Sequence, residues 1–421
     1  MLLPAANAAA DAPWTTGTPV GITRGSSVVT PAGNTVFLTT RTSTPRSTDL
    51  TTVGRDGLVR APRHLTLTSA SASVFGYDGI LIVGKASASQ TAVAIGTAAG
   101  GPLRVRALPS RAGHVIGVAV NASGDVAVIG GSGPSGHTLG PQARSVWRLR
   151  RGAKTFEESL RFDHQRAVVG ATASVTPSGG ILLAWQQNSQ IRTRRSTPAG
   201  TWGARQALGH VSGDGITIHA VTDDSGRQTV AWRTYWAGVD SEGYGLLEYA
   251  TAASGKPFGP AQTAEPGFTG SAGAFILVPG GPAGTLLAWT GADDQARSVV
   301  RAATLTGGVL GAAQQLSTNG MNSVLANAAV GPAGQAVVSW DAYTYGTTST
   351  PAGDHCLHAA ARTASGPFGA DEQISQSCDY DQTFIKVETG LAIDADDLHP
   401  IASYVGRDGN ARMALREPIA G

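Results

Sequence analysis

The segment Arg233-Thr-Tyr235-Trp236-Ala-Gly-Val-Asp240-Ser-Glu242-Gly-Tyr244 sets aromatic rings, an arginine and two carboxylates close together in the chain. Sugar recognition needs that combination: flat apolar surfaces for the ring faces and charged groups for the hydroxyls. Asp240 and Glu242 stand two apart, so on a strand both would face one side. A retaining glycosidase needs carboxyls about 5 Å apart across its substrate, usually from different segments, so this pair is weak evidence for cleavage. The other reading is an insertion that packs on itself and covers the neighbouring sheet.

A second cluster holds Tyr343, Tyr345, Asp354 and His355, followed later by Asp379, Tyr380 and Asp381. The chain has only two cysteines, Cys356 and Cys378. In an exported chain two cysteines imply one disulfide, here closing a loop of about twenty residues. Such a bridge would tie the two halves of the cluster together; two free thiols are the alternative. His355 and His358 have a spacing seen in some metal sites, but no supporting motif accompanies them. Neither Asp379 and Asp381 nor Asp394, Asp396 and Asp397 complete a calcium loop, and they read as solvated acids. No metal or other cofactor is expected. His219, within Ile216-Thr-Ile-His-Ala-Val221, reads as a core or channel-lining histidine. Gly-x-Ser-x-Gly before a helix, a phosphate loop and a dinucleotide fingerprint are all missing from the sequence.

The elements that position these residues come from a repeat. A run of small and apolar residues, a turn with Gly, a second apolar run and often Trp recur along the chain. The clearest copies are Val175-Thr-Pro-Ser-Gly179-Gly-Ile-Leu-Leu-Ala-Trp185, Val221 to Trp232, Pro282 to Trp289 and Val330 to Trp340. Weaker copies surround Gly33, Gly79 and Gly124, and the last, Ile393 to Tyr404, has lost the Gly. Successive turns at 33, 79, 124, 179, 226, 284, 334 and 397 lie 45 to 63 residues apart. A propeller blade takes about 40–50 residues, with room for insertions. Each copy reads as a hairpin of two well-buried strands, A and B, with Gly supplying the turn's positive φ and Trp filling space between sheets.

Segments Thr201 to Leu208, Pro257 to Gln262, Val309 to Leu316 and Pro367 to Ile374 are variants of one theme, Gly after an aromatic residue or Leu with Gln close behind, and read as outermost strands, D. Pro13 to Val20 looks like a D strand with nothing before it, and Ala411 to Leu415 like a C strand with no D after it. The two fragments complement each other. The expectation is an all-β propeller of about eight four-stranded blades, seven being the alternative, closed by the N-terminal strand pairing into the last blade.

Long B-to-C loops are expected in blade three (Ser132 to Ser145), blade five (Tyr235 to Tyr244) and blade seven (Tyr343 to His358). With the D-to-A loops they would crowd one mouth of the ring, where both clusters fall.

Composition agrees. Charged residues are 14% and hydrophobic residues 41%, with 56 Gly and 22 Pro, which suits short strands and tight turns. The net charge is +2, with basic residues scattered apart from Arg192, Arg194 and Arg195, so nucleic acid is not an expected partner. No stretch approaches the ~18 apolar residues of a membrane span. Residues 1–12 read as a signal-peptide remnant, from Ala-x-Ala steps such as Ala8-Ala9-Ala10, or as a flexible leader. Residues 13–421 then form a single domain, expected to be secreted and monomeric.

The hairpin-Gly-Trp and Phe-Gly-x-x-Gln units resemble exported actinobacterial propeller proteins, distantly sialidase-like in fold, over residues 13 to 416. The bias toward Arg, with Lys only at 85, 154, 256 and 386, fits a GC-rich genome. The sialidase Asp-box has no counterpart: Thr222-Asp-Asp-Ser-Gly226 lies between the first and second strands and continues differently. The resemblance therefore implies a fold and no catalytic residues. A non-catalytic binder of a glycan, cell-wall component or protein is the leading expectation. A glycan-cleaving enzyme at the same mouth is the alternative, and a structural scaffold a third.

Overall fold

The computed structural model describes residues 14–15, 18–23, 26–41, 47–131, 144–162, 168–211, 215–235, 246–265, 274–280, 284–295, 297–318, 320–343, 355–364, 366–375, 378, 389–396, 398–406, 408 and 410–419. Their strands fall into eight separate antiparallel sheets. The innermost strands, A, are Ser26–Val29, Thr68–Phe75, His114–Val120, Val168–Val175, Gly215–Thr222, Phe275–Pro279, Asn322–Val330 and Gly390–Ile393. The partners, B, are Thr35–Arg41, Gly79–Lys85, Val126–Gly131, Ile181–Gln187, Gln228–Tyr235, Thr285–Ala292, Ala336–Tyr343 and Pro400–Val405. Each A strand pairs with its B, and B with C. The molecule is an eight-bladed β-propeller.

The local cause of each hairpin is visible in the fourth. Gly179 takes φ +86 and donates its amide to the Thr176 carbonyl at 2.8 Å, while Thr176 donates to Gly180 at 2.8 Å. That φ is open to Gly and strained for most other residues. The eighth copy lacks the Gly, and there Leu398 carries a φ of +60.

The B strands are buried on both faces, hence their near-continuous apolar runs. Eight hydrophobic clusters fill eight seams, one between each pair of neighbouring blades and one between blades eight and one. The repeat aromatics sit at matching places: Trp185 in the seam of blades three and four, Trp232 in the next, then Trp289, Trp340 and Tyr404, with Phe37 closing the series. All are buried. Losing one such ring costs about 3–5 kcal/mol, part transfer and part cavity.

The last blade is completed as expected. Thr18–Thr23 pairs antiparallel with Asn410–Leu415, with Thr18 opposite Met413, and becomes its outermost strand. Trp14 enters the seam of blades seven and eight.

The outer strands differ from expectation. They begin later, at Gln206–His210, Gln262–Glu265 and Glu372–Gln373, and in blade six the edge splits into Val309–Leu310 and Gln314–Gln315. The aromatic-Gly part of the motif instead bridges blades. Gln206 Nε2 donates to the Phe258 carbonyl at 2.8 Å and its Oε1 accepts the Phe258 amide at 3.0 Å. Gln314 grips Phe368 in the same way, at 2.9 and 2.8 Å. In blade seven the equivalent Glu372 holds Arg416 through two bonds of 2.9 Å. The motif glutamine of blades four and six is thus a clasp on the next blade's backbone, whereas Gln262 of blade five accepts the Tyr249 hydroxyl of its own blade at 2.7 Å.

Candidate functional site

In each antiparallel A-B-C-D sheet the end of B, the start of C, the end of D and the start of A lie on one face, and of the two sequence clusters Tyr235, Tyr343 and His355 stand at strand ends on that face. In blade five, Arg233 sits one residue after the seam tryptophan and points into the opposite seam. It is 3% exposed and its Nη1 donates to the Thr290 carbonyl of blade six at 2.8 Å. Burial pushes its pKa down to about 10, opposed by Glu265. Glu265 in turn accepts Arg301 Nη1 at 2.7 Å and the Trp289 indole N–H at 3.2 Å. Arg233 therefore ties the mouth end of the blade-five B strand to blade six. Tyr235 is the last residue of its strand, opposite Gly215. Trp236, Asp240, Glu242 and Tyr244 lie outside the described residues.

Blade seven holds the best-defined polar group at the mouth. Its B and C strands pair right to the end, with Tyr343 opposite His355 and Ala342 opposite Cys356. The expected loop through His358 therefore ends before His355. The residues His355, Cys356 and His358 lie within His355–Arg362, a strand, because the ladder satisfies their backbone groups. Blade three behaves alike: Arg144 opposes Gly131, so Ser145 belongs to a strand rather than to the expected loop. The Tyr343 and His355 rings stack, with centroids 5.1 Å apart. His355 Nδ1 lies 2.8 Å from Asp341 Oδ2. With Nδ1–H donating to the carboxylate, Nε2 is left as the basic ring nitrogen. Burial raises the Asp341 pKa, while His355 and His358 oppose the shift. Its Oδ1 is buried and has no hydrogen-bond partner among the described residues.

Cys356 is bonded to Cys378, which lies beyond the outer strand of the same blade. The bridge ties the start of the C strand to the D-to-A segment, as expected from the pair's isolation. On the other face of the blade, His358 Nδ1 lies 2.6 Å from Asp371 and its ring stacks on Trp340 at 6.2 Å. The two histidines thus point to opposite seams and do not share a ligand, as strand alternation requires. Tyr345, Asp354, Asp379, Tyr380 and Asp381 lie outside the described residues. His219 faces a seam: its ring meets Phe275 of blade six edge-on at 4.7 Å, and burial lowers its pKa.

Asp341 was not among the residues singled out from sequence. The signal that finds it is the residue after each repeat tryptophan: Gln186, Arg233, Thr290 and Asp341. All four are polar and buried, facing the seam opposite their Trp near the mouth.

No protein-family model matches the chain, and no curated protein matches it. Solved propellers do resemble it. The β-propeller domain of the Trilobed protease from Pyrococcus furiosus is 6% identical with a TM-score of 0.46, covering 84% of this chain and 98% of that one. A polysaccharide lyase, an ulvan lyase, is 10% identical with a TM-score of 0.44, covering 80% and 89%. The Aleuria aurantia lectin in complex with Fucα1-6GlcNAc is 11% identical with a TM-score of 0.37, covering 70% and 97%. At such identities the likeness concerns fold alone, and no residue is carried across.

Proposed function

We propose that this chain is a secreted, non-catalytic binding protein that recognises a glycan at the mouth formed by the blade-five and blade-seven connections. The observation that carries the reading is the half-buried Tyr343 ring at the mouth end of blade seven, stacked on a buried His355 that Asp341 holds in place from within the seam. Across blade six, the sequence supplies Tyr235, Trp236 and Tyr244 with Asp240 and Glu242, and around blade seven Tyr345, Asp379 and Tyr380. Rings for sugar faces and acids for hydroxyls complete the pattern. Export is supported by the disulfide, which fits an oxidising compartment, and residues 1–12 then serve as leader ahead of a monomeric propeller of 13–421.

One specific feature favours a second reading, a glycan-cleaving enzyme at the same mouth. An Asp–His pair, its second carboxylate oxygen unpartnered among the described residues, is the kind of group that holds a general base in orientation.

A glycan-array screen of the chain and of the Trp236→Ala, Tyr244→Ala double variant tests the main reading. Binding by the parent and its loss in the variant is expected; binding that ignores both changes removes the proposed site. His355→Gln separates the two readings: product formation by the parent that disappears in this variant, with binding retained, identifies an enzyme.

A further inference from the structure

The face opposite the mouth carries a cleft of about 580 Å³ between blades two and three. Its inner end is formed by the A–B turns, Phe75 to Gly79 and Ala122 to Gly124, and its outer end by two pairs of arginines. The architecture explains why they meet. Arg104 and Arg106 are two apart on the outer strand of blade two, Arg104–Ala107, and share one of its faces. They stand opposite Ile95 and Val93, residues of the hydrophobic seam toward blade three. Arg150 and Arg151 follow Leu149, the last residue of the blade-three C strand and part of that same seam. The apolar seam therefore opens outward into a slot with guanidiniums on both walls.

These charges are not used up by the fold. Among the described residues, the Arg104 and Arg151 side chains have neither a hydrogen-bond nor an ion-pair partner, and they are exposed. Arg106 and Arg150 each donate only to a backbone carbonyl, of Val105 at 3.0 Å and Ala199 at 3.2 Å. The one acid in the lining, Asp78, is already committed: it accepts Asn34 Nδ2 at 2.9 Å, Thr30 Oγ1 at 3.2 Å and the Ala99 amide at 2.9 Å. The rim is kept low by Gly100, Gly101 and Gly152, where an added Cβ would meet only open space. At the inner end Tyr77 is 52% exposed, and its hydroxyl bonds to Asp396, which fixes the ring as an open flat surface.

We propose that this cleft is a second binding site, for an acidic oligosaccharide bearing carboxylate or sulfate groups. Guanidinium forks match both groups in shape and charge, a cleft of this volume lies in the range of small-ligand sites, and Tyr77 offers a face on which a sugar ring can stack. The net charge of +2 means that attraction arises from the local gathering of arginines rather than from the protein as a whole. The oxidising compartment that fits the Cys356–Cys378 disulfide favours glycans over nucleotides as the polyanion met.

Titration calorimetry of the full chain with heparin tetrasaccharide, tetragalacturonate, maltotetraose and an eight-nucleotide oligothymidylate tests the proposal. At least one acidic saccharide is expected to bind, more weakly as salt rises, whereas maltotetraose does not. Heparin alone binding points to sulfate, and galacturonate alone to carboxylate; either supports the site. Arg104→Gln with Arg151→Gln should weaken that binding by at least about tenfold, the scale of one lost charge-assisted hydrogen bond. The melting temperature of the variant should not move, since both side chains are exposed. Trp236→Ala with Tyr244→Ala should leave this binding intact, which separates it from the mouth. Failure of both acidic saccharides, equal binding of maltotetraose, tighter binding of the oligonucleotide, or indifference to the arginine changes would each overturn the proposal.

Discussion

Thr15 and Leu415 hold each other twice: the Thr15 amide donates to the Leu415 carbonyl at 2.7 Å, and the Leu415 amide donates to Thr15 Oγ1 at 2.9 Å. Next to this contact Trp14 packs with Tyr404 and Ile419 in the seam of blades seven and eight. The beginning of the propeller is thus held to its end by backbone, side chain and core together.

Removing residues 1–12 should leave the urea midpoint unchanged, because none of these contacts is lost. Removing 1–21 takes away Trp14, Thr15 and most of the closing strand. The loss should reach at least about 3 kcal/mol from the indole alone. Equal midpoints for the two truncations would refute the closing role of that strand.

The glutamine clasp makes a residue-level prediction. Gln314→Ala strands the Phe368 amide and carbonyl at a blade boundary, and should cost about 1–3 kcal/mol. Gln314→Glu retains the acceptor for the amide but not the donor for the carbonyl, so its cost should be intermediate. Hydrogen exchange at the Phe368 amide is the direct readout: fast in the alanine variant, slow in the glutamate variant.

His219 gives the fold a pH dependence of known sign. Burial lowers its pKa from the ordinary 6.5, so the unfolded chain binds a proton more readily than the folded one. Its contribution to stability is constant above about pH 6.5 and is lost as the pH falls from there toward the lowered folded value. Denaturant titrations at pH 7.5 and 5.5 should show a smaller acid loss for His219→Gln than for the parent. An equal loss would mean that the ring protonates freely in the fold.

What sequence could and could not reveal follows from where each feature's partners lie. The hairpins were legible because turn glycine and tryptophan sit within a few residues of each other, as in Gly179 and Trp185. The closure was legible because two fragments of one module stood at opposite ends. The outer strands were misplaced at their starts, since Phe258 and Phe368 serve a neighbouring blade through Gln206 and Gln314 and not their own ladder. Asp341 escaped notice because its role depends on His355, across a strand pair. The arginine cleft escaped for the same reason: Arg104 and Arg151 belong to different blades, and along the chain they read as scattered charge.

Pairing the Thr18 strand with the Asn410 strand also dictates an order of events. Almost every other contact in a blade is local, whereas this one must wait until nearly the whole chain exists and its two ends meet. Loop-closure entropy grows only logarithmically with length, so the penalty on stability is modest, but the step is nonlocal and should come late in folding. Until it happens, the eighth blade has an unpaired outer edge and the first has no partner across the final seam. A circular permutant opened between two other blades, with the present ends joined, would turn that late encounter into a local hairpin. It should reach the same ring faster.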